Sequence, residues 1–226
     1  MTITYHPDLI QGTEAWLAAR CGVLTASEMK LIITPTLKTA SNDKERAHVW
    51  ELAAQRLTQY VEPSYIGDDM LRGMDDEIEA RGLYHQTFAP VSEMGFITND
   101  RWGFTIGASP DGLVGDDGQI ECKSRRQKFQ LETIATRAMP DDYWIQVQTA
   151  LLVSERAWCD FISYSGGLPM IVLRVFPDEK TQAAIVEAAA KFEERVALRI
   201  AEYRDTLASD TRLIPTERRI EQEMFA

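Results

Sequence analysis

Apolar residues recur along this chain with two different periods, and the two periods occupy different regions. Toward the amino terminus they return every three or four positions. "GTEAWLAARCG" reads as a short helix, with Thr13 at its cap and Gly22 just past its end. "TASEMKLIIT" then predicts a second helix, because Thr25 followed by Glu28 has the capping-box spacing. After the polar loop "TPTLKTASND", a helix is predicted from about Lys44 to Tyr60, with Val49, Leu52, Ala53 and Leu57 on its buried face. "VEPSYIG" breaks it. "DDMLRGMDDEIEARGLYHQTF" predicts another helix, with Met70, Met74, Ile78 and Arg81 along one side and Glu77 projecting near the same face.

The middle of the chain changes to short β-rich runs, "VSEMGFIT", "WGFTIGAS", "LVG" and "QIECK", separated by turn residues. These predict an antiparallel meander. A basic stretch follows, and Pro140 then opens the helix "DDYWIQVQTALLV". "AWCDFISYS" and "MIVLRVFP" read as two more strands around "GGLP". A long helix is predicted from about Asp178 to Leu207, with Ile185, Ala189, Phe192, Val196, Ile200, Tyr203 and Leu207 in one stripe. The tail, residues 210–226, is interrupted by Pro215 and is expected to be mobile or to lie at an interface. With no repeat, low-complexity tract or linker, residues 1–226 are expected to form a single domain of the α/β (α+β) class.

Composition narrows the chemistry. The chain has 226 residues, 45% of them apolar, enough for a sizeable core. No run approaches the ~18 apolar residues of a membrane span, and the first residues lack the basic start and apolar core of a secretory signal. A cytoplasmic protein without a membrane partner is the expectation. Cys21, Cys122 and Cys159 are scattered, and His6, His48 and His85 lack zinc-site spacing. Any metal would therefore be a hard cation held by oxygens. The net charge of −11 disfavours a protein coated in nucleic acid, yet leaves room for a nuclease whose basic groups are concentrated at one site.

The densest chemistry lies in "GASPDGLVGDDGQIECKSRR". Centring the turn on "GDDG" pairs Val114 with Gln119 and Leu113 with Ile120, which brings Asp111 beside Cys122 with Glu121 one step away. Neighbouring strands lie ~5 Å apart, so both carboxylates can reach one ion. Side chains alternate along a strand, so Glu121 and Lys123 share a face opposite Cys122. Two carboxylates and a lysine suit metal-assisted phosphodiester hydrolysis; equally, they could be ordinary charges on a turn. Three features lie outside the hairpin. Glu77, with Arg81 four residues on, could add a third carboxylate or be a helix ion pair. Gln146 and Gln148 sit in an otherwise apolar helix and need partners. Arg20 precedes Thr25 and Ser27, which suit either phosphate binding at a helix start or plain capping.

In order, W-x-x-x-R-x-G-x-x-T-A-S, G-x-x-x-E with Arg81 four on, S-P-D-G-L, E-x-K and Q-V-Q, the chain from Trp16 to about Ser165 resembles the bacteriophage lambda exonuclease type. This is also called the YqaJ-like viral recombinase or alkaline exonuclease family, of the PD-(D/E)xK nuclease superfamily. The resemblance implies a restriction-endonuclease-like core, with a central mixed β-sheet flanked by helices. It implies that Asp111, Glu121 and the Cys122 backbone carbonyl hold Mg²⁺ (with Mn²⁺ as a substitute), that Glu77 serves a second metal, that Lys123 positions the attacking water and that Gln146 lies near the scissile phosphate. Arg20, Thr25, Ser27 and Ser109 match a pocket for a terminal 5′-phosphate. Met70 falls where the family has an apolar wedge, and the basic run Arg125, Arg126 and Lys128 suits strand tracking.

The implied activity is processive 5′→3′ degradation of one strand of linear double-stranded DNA to mononucleotides, leaving 3′ overhangs. The implied setting is a homotrimeric ring around DNA and a single-strand annealing recombinase as partner, in the cytoplasm of a bacterial host of a phage or prophage. The rival readings are another endonuclease or junction resolvase of the superfamily, and a non-catalytic DNA-recombination scaffold.

Overall fold

The computed structural model describes residues 2–63, 67–209 and 212–218. Strands and helices follow as β1 (Ile3–His6), α1 (Glu14–Arg20), β2 (Leu24–Thr25), a 3-10 turn (Met29–Leu31), α2 (Asp43–Thr58), α3 (Asp68–Thr87), β3 (Phe96–Asn99), β4 (Ile106–Ala108), β5 (Gly112–Val114) and β6 (Gly118–Ser124). Then come α4 (Gln127–Thr136), a second 3-10 turn (Asp141–Tyr143), α5 (Trp144–Ser154), β7 (Trp158–Tyr164), β8 (Ile171–Val175) and α6 (Glu179–Ser209). No helix of the described residues is long and apolar enough to cross a membrane.

The strands form two four-stranded sheets, ordered β1-β3-β4-β2 and β5-β6-β7-β8, and an isolated bridge pairs Ser92, four residues before β3, with Leu113 of β5. Both sheets are mixed. β2 runs parallel to β4 and β6 parallel to β7, while the remaining pairs are antiparallel. The expected meander of four strands is instead two antiparallel pairs, β3–β4 and β5–β6, because β4 and β5 fall in different sheets. β6 and β7 run parallel, as α4 and α5 intervene and a crossover of that length returns the chain in the same direction.

α5 is the wedge between the sheets. Ile145, Ala150 and Val153 pack with Ile97, Ile106 and the α6 residues Ile185 and Phe192. Val147 and Leu151 instead meet Cys159, Phe161 and Val175 of the second sheet. On the opposite face of that sheet, Ala80 and Tyr84 of α3 cover Ile120, Cys122 and Ile162. The catalytic candidates on β6 are thus held between α3 and α5.

Several sequence expectations are corrected. The hairpin register is shifted by one: Gly112 pairs with Ile120, Leu113 with Gln119 and Val114 with Gly118. Gly115 adopts φ +53°, so the turn takes three residues rather than four. Gly118 is required at its end, because a Cβ there would lie 2.1 Å from the Trp158 ring. The helix expected at "TASEMKLIIT" is instead strand β2 and a 3-10 turn. Leu24, Ala26, Met29, Ile32 and Ile33 are all buried, and a short segment buried all round has no period to read.

On α3 the stripe Met70, Met74 and Ile78 faces solvent, each about half exposed or more, and the buried residues are Ala80 and Tyr84. α4 has no apolar stripe at all; its buried residues are Gln130 and Thr133, so it escaped notice. The α6 stripe is buried as far as Val196, after which Tyr203 and Leu207 are exposed. Of the tail, Arg218 stacks 3.4 Å over the Tyr60 ring, and residues 210–211 and 219–226 lie outside the described residues.

Candidate active site

The one-residue shift in register brings Asp111 opposite Glu121. Asp111 N donates to the Ile120 carbonyl at 3.2 Å, and Cys122 N donates to Asp111 Oδ2 at 2.5 Å, so the carboxylate is fixed by the strand beside it. Glu121 is 3% exposed, and Oε1 accepts from Lys123 Nζ and, at 2.5 Å, from Gln146 Nε2 of α5. Strand alternation explains the meeting: Glu121 and Lys123 point toward α5, while Cys122 packs against α3. From α3, Glu77 joins the group. Arg81 NH1 lies 3.4 Å from Glu77 Oε1 and donates to the Asp111 carbonyl at 3.3 Å, and its NH2 lies 3.3 Å from Glu93. The structure therefore brings together Asp111, just before β5, Glu121 and Lys123 of β6, Glu77 of α3 and Gln146 of α5. Gln148, fully buried, is a core glutamine: it donates to the Phe176 carbonyl and accepts from Asp178 N.

The electrostatics are those of crowded acids. Burial, then repulsion from Glu121 and Glu77, pushes the Asp111 carboxyl well above its ordinary range. Burial also raises Glu77, with Arg81 and Lys123 opposing. Burial disfavours the Lys123 ammonium, but Glu121, Asp111 and Glu77 outweigh it, so its pKa rises and it stays charged. One lysine thus faces three carboxylates, and Arg81 offsets only the Glu77 end.

Among the described residues, no three His, Cys, Asp or Glu side chains stand at the spacing of a complete protein metal site. Asp111 and Glu121 nevertheless fit a small hard cation. Magnesium is commonly held by one or two carboxylates, with waters and substrate phosphate completing the shell. An ion between these two would relieve the repulsion that raises Asp111.

A second cluster surrounds Arg20. Its NH2 donates to Thr25 Oγ1 at 3.1 Å, and its guanidinium stacks 4.2 Å over the Trp16 ring. Thr25 Oγ1 is 3.3 Å from Ser27 Oγ, and Trp16 Nε1 donates to Ser109 Oγ at 3.2 Å. Thr25 pairs with Gly107 in the sheet, and Ser109 is two residues before Asp111, so the cluster adjoins the carboxylates. Thr25 and Ser27 do not cap an α-helix. Thr25 Oγ1 donates instead to Glu28 Oε2 at 2.5 Å. Burial lowers the Arg20 pKa and Glu28 partly restores it. Glu28, which sequence reading took for a cap residue, and Trp16, which it took only as a motif letter, are both structural members of this pocket.

The remaining candidates are dispersed. Met70 is exposed on α3. Arg126 is the exposed N-cap of α4, Lys128 is exposed in its first turn, and Arg125 is half-buried beside Tyr143. A cleft of about 240 Å³ between α2 and α6, lined by Arg46, Trp50, Arg195 and Arg199, lies elsewhere. Its arginines already face Asp43, Glu45 and Glu202.

Comparison with known proteins shows the family and the fold. The family model for the YqaJ-like viral recombinase domain matches residues 15–157, from the Trp16 cluster through Gln146. The alkaline exonuclease LHK-Exo of Laribacter hongkongensis is similar at 33% identity and TM-score 0.77, over 87% of this chain and 98% of that one. LHK-Exo in complex with dAMP matches over the same shares at 34% identity and TM-score 0.77. A phage-related exonuclease from Haemophilus somnus 129PT shares the fold, with TM-score 0.58 at 14% identity over 80% of this chain and 96% of that one. No curated protein sequence matches this chain significantly.

Proposed function

This chain belongs to the YqaJ-like viral recombinase domain family, and on that premise we propose that it is a Mg²⁺-dependent 5′→3′ exonuclease. It degrades one strand of linear double-stranded DNA processively to mononucleotides and leaves a 3′ overhang for recombination. The observation that carries the reading is the meeting of Asp111, Glu121, Lys123, Gln146 and Glu77 around one strand end. The complex of LHK-Exo with dAMP supports a site of nucleotide size in the family.

Asp111, Glu121 and the Cys122 carbonyl would hold the first metal, and Glu77 would serve a second. Bound there, Mg²⁺ (or Mn²⁺) supplies Lewis acidity to the scissile phosphoryl group and to an attacking water. Lys123, charged throughout the neutral range, orients that water, and Gln146 fixes the Glu121 carboxylate. Arg20, with Thr25, Ser27 and Ser109, receives the 5′-terminal phosphate through charge-assisted hydrogen bonds. Met70, exposed on α3, parts the duplex end. Residues 1–226 act as one exonuclease domain in a homotrimeric ring, in a bacterial cytoplasm, with a single-strand annealing recombinase taking up the overhang; these elements rest on the family.

The test is digestion of linear 5′-phosphorylated, linear 5′-hydroxyl and closed circular duplexes, with Mg²⁺ and with EDTA. Mononucleotide release from 5′-phosphorylated ends, abolished by EDTA, is expected, and Arg20→Ala should narrow the preference for 5′-phosphate over 5′-hydroxyl. Cutting of closed circles would identify an endonuclease of the same fold instead.

A further inference from the structure

Glu121, Lys123 and Arg125 are alternate residues of one extended run, so they project to one side of the sheet. Arg125 N donates to the Tyr164 carbonyl at 2.7 Å, which carries the β6–β7 pairing one residue beyond the end of the strand. The Arg125 guanidinium lies between two rings, 5.3 Å from Tyr143 and 5.1 Å from Phe129, and NH1 donates to the Tyr143 hydroxyl at 2.8 Å. Tyr143 also lies under Lys123 Nζ at 5.7 Å and packs its ring on Phe161. One aromatic side chain therefore contacts both the catalytic lysine and the arginine two positions on.

This arginine is ordered but not neutralised. Arg125 has no ion-pair partner among the described residues, and its Nε is buried with no hydrogen-bond partner. Lys128 Nζ sits 4.6 Å over the exposed Phe129 ring. The first turn of α4 carries no acidic residue, and the N-cap side chain does not cap the helix. Helix N-termini favour acids and disfavour Lys and Arg, so cations gathered at this start cost stability unless an anion sits among them.

Resting on the nuclease reading above, we propose that Arg125, clamped by Tyr143, binds the phosphodiester next to the scissile one on the strand being cut. Lys128 adds charge, and Phe129 offers its face to a base or sugar. The spacing suits the role. Two residues along a strand advance on the order of 7 Å, comparable to the step between successive phosphates. A planar guanidinium held between rings loses little freedom on gripping a phosphate, and aromatic faces beside cations suit single strands of any sequence.

The experiment is DNA binding in EDTA, read by fluorescence anisotropy across a salt series. The substrate is a recessed duplex in which one linkage at a time is an uncharged methylphosphonate. Wild type should lose about tenfold in affinity when the linkage adjacent to the cleavage position is neutral. Arg125→Ala should bind the all-phosphate strand about tenfold more weakly, with a salt slope lower by about one, and should ignore the methylphosphonate at that linkage. Arg125→Lys should recover the slope, and Tyr143→Phe should weaken binding at the same linkage only. Thermal melts confirm that each variant is folded. Wild-type affinity and slope in Arg125→Ala, or an undiminished methylphosphonate penalty in that variant, overturns the subsite. A wild-type protein that neither binds nor cuts linear DNA overturns the nuclease reading instead.

Discussion

Two buried aspartates, one in the second sheet and one at its edge, meet opposite fates. Asp160 on β7 is 3% exposed, and Arg174 grips it through Nε at 2.8 Å and NH2 at 2.9 Å, while the Tyr84 hydroxyl donates at 2.6 Å. Asp111 is 7% exposed and receives one backbone N–H, while two further carboxylates crowd it. The first acid is fully paired by its own fold. The second is held in place and left in excess of its counter-charge. A protein tolerates a buried charge by pairing it; where a fold orders an acid and leaves it in excess of counter-charge, that acid is a candidate for function.

The widest separation between the two should appear in activity. Asp111→Asn should reduce DNA hydrolysis by about 10³-fold or more, since on the proposed reading it removes a ligand of the cation that acts on the reacting phosphate. The melting temperature measured in EDTA should hold or rise, because one repelling carboxylate is gone. Asp160→Ala should do the reverse. It strands the Tyr84 hydroxyl and releases Arg174, at a cost of about 2 kcal/mol in urea unfolding. That lies below the usual cost of breaking a buried pair because Arg174 is half in water. If Asp111→Asn unfolds the protein while Asp160→Ala silences it, the assignment of roles is inverted.

How much of this contrast the sequence carries differs between the two acids. Asp111, Glu121 and Lys123 are legible because they sit at motif spacing on a hairpin, even though the register was off by one. A slip of one normally reverses the faces of a strand. Here Asp111 lies just outside β5, and the correction moves it directly opposite Glu121. Glu77 and Gln146 were legible through family motifs, but Arg81 bridging Glu77 and the Asp111 carbonyl was not, because that contact joins α3 to the hairpin. Asp160, Arg174 and Tyr84 come from three elements, and no local pattern announces them. The inward face of α3 was missed for a related reason. The more apolar stripe, Met70, Met74 and Ile78, faces solvent, and a Tyr whose hydroxyl reaches Asp160 takes the buried place. Periodicity locates helices and cannot say which face is buried when the greasier one is left exposed.

A pH series sharpens the same contrast. In the fold, burial and like charge raise the Asp111 pKa above its unfolded value, so folding favours the protonated form. Its contribution to stability is full below the unfolded pKa of about 4 and is lost as pH rises through the higher folded value. In EDTA, the wild-type melting temperature should therefore decline as pH rises from about 4 toward neutrality. Asp111→Asn should flatten that decline, and added Mg²⁺ should raise the melting temperature most at the high-pH end. A wild-type profile as flat as that of Asp111→Asn would remove the case for uncompensated repulsion.

The smallest effect tests whether the paired acid is purely structural. Tyr84 is 1% exposed, stacks on Phe88 with centroids 5.2 Å apart, and gives its hydroxyl to Asp160. Tyr84→Phe keeps the ring and deletes one hydrogen bond, while Arg174 still satisfies both oxygens of Asp160. The expected loss is about 1 kcal/mol in urea unfolding. Tyr84 and Glu77 lie two turns apart on the same helix, so a rotation of α3 would shift Glu77 relative to Asp111. With α3 also packed through Ala80 against Ile120 and Cys122, that rotation is resisted by the core itself. Single-turnover hydrolysis by Tyr84→Phe should accordingly match wild type at saturating Mg²⁺. A variant that keeps its stability and loses rate would show the Asp160 cluster reaching into the chemistry through α3, and the division between the two aspartates would have to be abandoned.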